Sequence, residues 1–187
     1  MTDRKDRISL VKAAGHFKTI TAHRMKVAEG CFRAGLYRQG LLHDLSKYLP
    51  AEFLTGARYY TGKESPNNGE RRKYGYSGAW LHHKGRNRHH FEYWIDYPLR
   101  MNPDALYVPV KMPGRYVVEM FFDRVAASKT YLGSAYKDSS PLEYYLNGNP
   151  SRFMHPETAA LLEKLLRMNA EKGEAETIRY IRRHLHK

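Results

Sequence analysis

Cysteine is almost missing from this sequence: Cys31 stands alone among 187 residues. That excludes an internal disulfide and a thiolate zinc knuckle, so any metal must be held by histidine and carboxylate. Long apolar runs are missing too. Nothing approaches the roughly 20 residues of a membrane span, and the opening Met1-Thr2-Asp3-Arg4-Lys5-Asp6-Arg7 has no signal-peptide core. The expectation is a soluble, cytoplasmic protein with no membrane partner. There is no glycine-rich phosphate loop with its lysine and no dinucleotide fingerprint, which removes P-loop ATP hydrolysis and the usual nicotinamide and flavin folds. Fixed-period repeats and low-complexity tracts are absent, and strand signals are weak. Acidic residues are few beside basic ones, 19 against 32, for a net charge of +13. The partner is therefore expected to be anionic, a small phosphate-bearing molecule or a nucleic acid. Between Lys63 and His90 the imbalance is sharpest, with seven Lys or Arg against Glu64 and Glu70.

What is present suits a helical core. Hydrophobic residues make up 42%, enough for one domain over 1–187, with a core at about 6–135 and a C-terminal helical extension at about 141–187. From Asp6 to Ala34, Leu10, Ala14, Phe17, Thr21, Ala28 and Cys31 recur at helical spacing. A second helix is expected through Leu41-Leu42-His43-Asp44-Leu45, limited by Pro50, and a third over Ala51–Tyr60. Thr61 to Gly78 reads as a mobile basic loop around Pro66-Asn67-Asn68-Gly69. Short helices follow at Ala79–Lys84 and Pro141–Leu146, and long ones at Arg115–Leu132 and from Pro156 onward. Prolines interrupt the stretch from Tyr97 to Pro113, where Leu106–Val110 is extended or a short strand. The fold class is all-α.

Histidines carry the chemical signal. Six of the ten, His23, His43, His82, His83, His89 and His90, fall in one stretch, and His43 is followed by Asp44. Imidazole and carboxylate suit manganese, iron, cobalt, nickel or zinc, and adjacent His and Asp on one helix can both reach an ion near its turn. Asp123 stands among Phe121, Phe122, Val125 and Ala126; a metal would compensate its burial, or it pairs with Arg115 or Arg124. Lys47, three residues past Asp44, either faces the same cavity or is solvated. His16, seven residues before His23 on the same helical stripe, is its rival for the site and is read instead as a partly buried surface histidine; His155 is read as the start of the last helix, and His184 and His186 as a solvated tail. Trp80, Tyr93 and Trp94 are expected to serve packing.

The order His23, His43-Asp44, His82-His83, His89-His90 and Asp123 resembles the HD-domain superfamily of metal-dependent phosphohydrolases, over most of residues 15–132. The most specific piece is His43-Asp44-Leu45-Ser46-Lys47, which is similar to the family's His-Asp-x-x-Lys segment. The box from His82 to Trp94, with its two His-His pairs and Asn87, resembles that of a small bacterial group within or beside the superfamily, for which no activity is implied. The resemblance implies an HD-like helical bundle in which His23, His43, Asp44 and Asp123 bind a divalent ion and Asp44 and Lys47 serve catalysis. In two-metal members extra histidines hold a second ion. Here His83 and His90 are favoured over His82 and His89, either for that ion or for substrate phosphate, because only one of each adjacent pair on a helix faces inward. Arg86 and Arg88 would add charge at the mouth. The expected activity is metal-dependent hydrolysis of a small phosphate ester or nucleotide. Di-iron oxygen chemistry and a basic nucleic-acid-binding module with an HD-like fold stand beside it.

Overall fold

The computed structural model describes residues 7–100 and 106–185. Asp6, where the first helix was expected to start, and His186 lie outside them, as does the opening read for a signal peptide up to Asp6. Eight α-helices carry the described chain: α1 Leu10–Arg33, α2 Tyr37–Leu42, α3 Pro50–Tyr59, α4 Pro66–Tyr74, α5 Gly78–Lys84, α6 Gly114–Leu132, α7 Ser140–Gly148 and α8 Pro156–His184. Strand β1 Ile95–Asp96 pairs antiparallel with β2 Val108–Pro109. The architecture is an all-α bundle. No helix among the described residues is long and apolar enough to cross a membrane.

Local chemistry sets the ends. Ser9 accepts a hydrogen bond from the Lys12 amide at 3.2 Å and caps α1. Pro50 and Pro156 start α3 and α8, where a missing amide hydrogen costs nothing. His155 caps α8 by accepting from the Glu157 amide through Nδ1 at 3.2 Å. Gly173, at φ 79°, kinks α8.

The core is built between α1, α6, α7 and α8. Val27 and Cys31 of α1 meet Val118, Phe121, Phe122 and Val125 of α6, and Tyr145, Leu162, Leu165 and Ile181 close the other side. Close approach of α1 to α6 depends on Gly30, since a Cβ there would lie 2.4 Å from Cδ1 of Phe122. This packing fixes the two helices that carry His23 and Asp123.

Three expectations change. First, the buried face of α1 is His16, Ile20, His23, Val27, Gly30 and Cys31, while Leu10 is 90% exposed and Phe17 is exposed too. The apolar spacing pointed to a different face because two of the buried positions are histidines, and His16 is buried rather than superficial. Second, the expected loop at 61–78 contains α4. Pro66 starts it, Gly75 ends it in the left-handed region at φ 80°, and Gly69 lets it lie against Tyr59. Third, His43 and Asp44 are not on a helix. Helix α2 ends at Leu42, Asp44 takes φ 53°, ψ 26°, and a 3₁₀ turn follows over Leu45–Tyr48. Arg24 stabilises this break, its Nε donating to the His43 carbonyl at 2.7 Å and its Nη2 to that of Leu41 at 3.1 Å.

Candidate metal centre

Helix α1 supplies His23, the break after α2 supplies His43 and Asp44, and α6 supplies Asp123. These four form a cluster able to chelate a metal ion. His23 Nε2 lies 3.0 Å from Asp123 Oδ1 and 3.4 Å from His43 Nε2. His43 Nε2 lies 3.3 Å from Asp44 Oδ2 and 3.7 Å from Asp123 Oδ1. Lys47, from the 3₁₀ turn, brings Nζ to 2.6 Å of the same Asp44 oxygen.

A second cluster shares Asp44. His83 Nε2 and His89 Nε2 approach its other oxygen, Oδ1, at 3.2 and 3.4 Å, and His90 Nε2 lies 2.9 Å from His83 Nε2. His83 comes from α5, whereas His89 and His90 follow it in irregular chain. The 100° separation of helical neighbours does not apply there, so both side chains of that pair turn inward.

Behind the two clusters stand carboxylates that hold the rings by their other nitrogens. Glu119 of α6 lies 3.0 Å from His43 Nδ1 and 3.2 Å from His89 Nδ1. Glu52 of α3 lies 2.7 Å from His83 Nδ1 and 2.6 Å from His82 Nδ1. Such partners fix ring orientation and leave Nε2 as the free ligand atom. Asn87 adds a contact from Nδ2 to Ser46 Oγ at 2.8 Å, beside His83.

Four carboxylates, those of Asp44, Asp123, Glu52 and Glu119, converge on the imidazoles and on the Lys47 ammonium. Burial opposes the charge of Asp44, yet His43, Lys47 and His83 hold its carboxyl well below the usual range. Burial likewise opposes a charged His43, but Asp44 and Glu119 outweigh it and raise the imidazole to about 10. His90 is pushed down by burial and by its neighbours His89 and His83, and so favours the neutral, ligating form. Both Asp44 oxygens and His89 Nε2 are buried without a directed hydrogen bond. Buried polar atoms normally have partners, and the donor set of imidazole and carboxylate fits a divalent transition metal at each cluster.

Residues 12–168 match the family described as "Family of unknown function (DUF5662)". The chain belongs to DUF5662. No curated protein and no solved structure matches it.

In this DUF5662 chain a cavity of about 750 Å³ opens beside the clusters, between α4 on one side and α7 on the other, with His23, Lys47, His83, His90 and Asp123 in its wall. Arg86 and Arg88 lie elsewhere. Both are exposed; Arg86 reaches back to the His82 carbonyl at 3.4 Å and Arg88 lies over the Tyr93 ring. They do not line the cavity, whose cations are Lys47, Lys63 and Arg124. His82 turns away from the clusters toward Glu52, while His89, the less favoured member of its pair, enters. Asp123 meets His23 rather than an arginine. Trp80 lines the cavity with its ring 4.7 Å from that of His90, and Trp94 packs on Tyr116. Sequence reasoning missed Glu52 and Glu119. For Glu119 a signal existed: it stands four residues before Asp123, one turn away on the same apolar helix. Glu52 carried none.

Proposed function

We propose that this DUF5662 protein is a metal-dependent phosphohydrolase of HD type, holding two divalent ions from among manganese, iron, cobalt, nickel and zinc and acting on a small phosphate ester or nucleotide. One observation carries the reading: the buried Asp44 carboxylate belongs to both clusters, with Oδ2 toward His43, His23 and the Lys47 ammonium and Oδ1 toward His83 and His89. A carboxylate so placed suits a bridge between two ions. The convergence of His23, His43-Asp44 and Asp123 from separate elements, in the order of the HD pattern, supports the same reading.

Ions held there would acidify a water and draw charge from a phosphorus centre. The chain's own groups do the rest. Lys47, 2.6 Å from Asp44 Oδ2 and exposed to the cavity, offsets the charge of a bound phosphate. Burial disfavours its charge, but Asp44 and Asp123 overcome this and keep it an ammonium. With ions bound, Glu119 and Glu52 would accept from Nδ1–H of His43, His89 and His83 and so leave Nε2 of each toward the metal.

The test is elemental analysis of native protein purified without a metal-affinity column, beside Asp44→Asn, which keeps the side-chain volume and tolerates the left-handed backbone. Two ions per native chain, lost in the variant, with metal-stimulated phosphate release, is the expected result. A folded chain that takes up none of the five metals would overturn the proposal. The second cluster, with three imidazoles on one carboxylate, also suits iron, so oxygen consumption by iron-loaded protein without phosphate release would favour di-iron oxygen chemistry instead.

A further inference from the structure

The box from His82 to Trp94 contains one acidic residue, Glu92, that neither cluster uses. It lines the cavity, as does Arg124, the residue after Asp123. Glu92 Oε2 and Arg124 Nε are both buried without a hydrogen-bond partner. Among the described residues no group of opposite charge lies within 4 Å of either; the contact of the guanidinium is the Tyr145 ring, at 5.6 Å. A pair of opposite charges facing one space without closing on each other is strongly unfavourable unless something bridges them. Burial weakens the charge of both, raising Glu92 and lowering Arg124.

We infer that Glu92 and Arg124 form a recognition subsite for the part of the substrate that does not react, and that they take a neutral planar group presenting an acceptor to the guanidinium and an N–H donor to the carboxyl side by side. Amides, lactams and amino-heterocycles have this edge. The inference rests on the phosphohydrolase reading for what sits at the other end of the cavity. A second phosphate is excluded by Glu92 and an ammonium by Arg124, because either would meet a like charge in a space of low dielectric. Flat walls are present: Phe91, Trp80 and Tyr144 line the same cavity, and its volume of about 750 Å³ is that of a site for a drug-sized ligand. Chain geometry holds the subsite in register with the clusters. Arg124 is one residue from Asp123 on α6, and Glu92 is two residues from His90 in the 3₁₀ turn Phe91–Trp94. A substrate held by Glu92 and Arg124 thus has its reacting end set relative to Asp44 and Lys47.

The experiment uses the full chain in two forms. Without metal, calorimetry measures binding of uridine, inosine and nicotinamide, which carry the edge, against ribose and 4-nitrophenol, which do not. With manganese, kcat and KM are measured for uridine and inosine 5′-monophosphates and for 4-nitrophenyl phosphate. Glu92→Leu and Arg124→Met are compared with native protein, and thermal melting of each confirms that the variant is folded under the assay conditions. The expected result is binding of the edge-bearing compounds alone, weakened roughly tenfold or more in each variant, with the preference in kcat/KM for the nucleotides over 4-nitrophenyl phosphate falling by a similar factor. Equal binding of ribose and uridine, or variants that bind as the native chain does, would overturn the subsite. Hydrolysis of 4-nitrophenyl phosphate with no preference for the nucleotides overturns the subsite and spares the phosphohydrolase reading. Nucleoside binding sensitive to both variants, with no phosphate released from any ester, does the reverse.

Discussion

Replacing Gly30 with alanine should push apart the two helices that carry His23 and Asp123. The new Cβ would lie 2.4, 2.8 and 2.9 Å from Cδ1, Cε1 and Cγ of Phe122, where carbon atoms ordinarily sit about 3.5 Å apart or more. Phe122 is 2% exposed and packs edge-on to Phe121 at 5.1 Å, so the ring has little room to turn and α1 must move by about 1 Å. Two effects compete. Alanine is the better helix former by about 1 kcal/mol, while forcing extra volume into a packed core costs about 1–3 kcal/mol. The balance is a net loss of up to about 2 kcal/mol, or a fall in Tm of up to roughly 8 °C for a chain of this length. His23 is two turns before Gly30 on the same buried face, and Asp123 follows Phe122 directly. The 3.0 Å approach of His23 Nε2 to Asp123 Oδ1 should therefore lengthen, and metal affinity should fall along with stability. Urea unfolding and titration with manganese or cobalt against a chromogenic chelator read the two effects. Shortening the ring, with Phe122→Leu added to Gly30→Ala, should recover part of both. A Gly30→Ala protein that melts at or above the native temperature and binds metal unchanged would refute the reasoning from packing to site.

Glu119→Gln should weaken metal binding about 10–100-fold without unfolding the chain, because it loosens His43 and His89 together; competition with a chelator checks this, and an unchanged affinity would count against Glu119 as the positioning group. His89→Ala should lower metal content while His82→Ala leaves it near native, since only His89 turns Nε2 toward Asp44; plasma emission analysis of the purified variants distinguishes them, and equal losses would contradict the geometry. His16 is lowered to about 4, first by burial and then by Lys47. The folded chain therefore refuses a proton that the unfolded chain accepts at its ordinary value near 6.5. Stability from this group is present above the unfolded pKa and is lost as pH falls toward 4, by at most about 3 kcal/mol. His16→Phe should remove that component from urea unfolding curves between pH 7 and 4; an unaltered pH slope would refute it.

The helices were legible where apolar periodicity and proline or glycine punctuation agreed, as over α3, α5 and α6. They were misjudged where burial is polar. On α1 the two buried histidines broke the apolar spacing, and the exposed Leu10 and Phe17 supplied a false stripe. Helix α4, with a sequence as polar as Pro66-Asn67-Asn68-Gly69-Glu70-Arg71-Arg72-Lys73, offered no periodic signal at all; Asn68 accepts from Arg71 and Glu64 from Arg72, and Gly69 settles it on Tyr59. In the site, the ordered histidines and aspartates were legible one by one. Their supports were not, since Glu52 and Glu119 act on atoms that face away from the clusters, and only three-dimensional contact brings them there. Assigning His82 and His89 by the rotation of an ideal helix failed at residue 89 because the helix had already ended at Lys84.

The break at His43-Asp44 accounts for how one carboxylate comes to face two clusters. A non-glycine residue at positive φ is disfavoured, though aspartate tolerates it better than most. Had α2 continued, Asp44 would project about 100° around the helix from His43, and the two side chains would diverge. Instead the left-handed turn folds Asp44 back until Oδ2 lies 3.3 Å from His43 Nε2 and Oδ1 3.2 Å from His83 Nε2. Breaking a helix frees carbonyls, and those of Leu41 and His43 are taken up by Arg24. Arg24 follows His23 on α1, so the residue next to one member of the first cluster stabilises the turn that supplies two more. The left-handed backbone, its compensating arginine and the convergent imidazoles thus form one arrangement, in which local strain is tolerated where it brings one carboxylate within reach of both clusters.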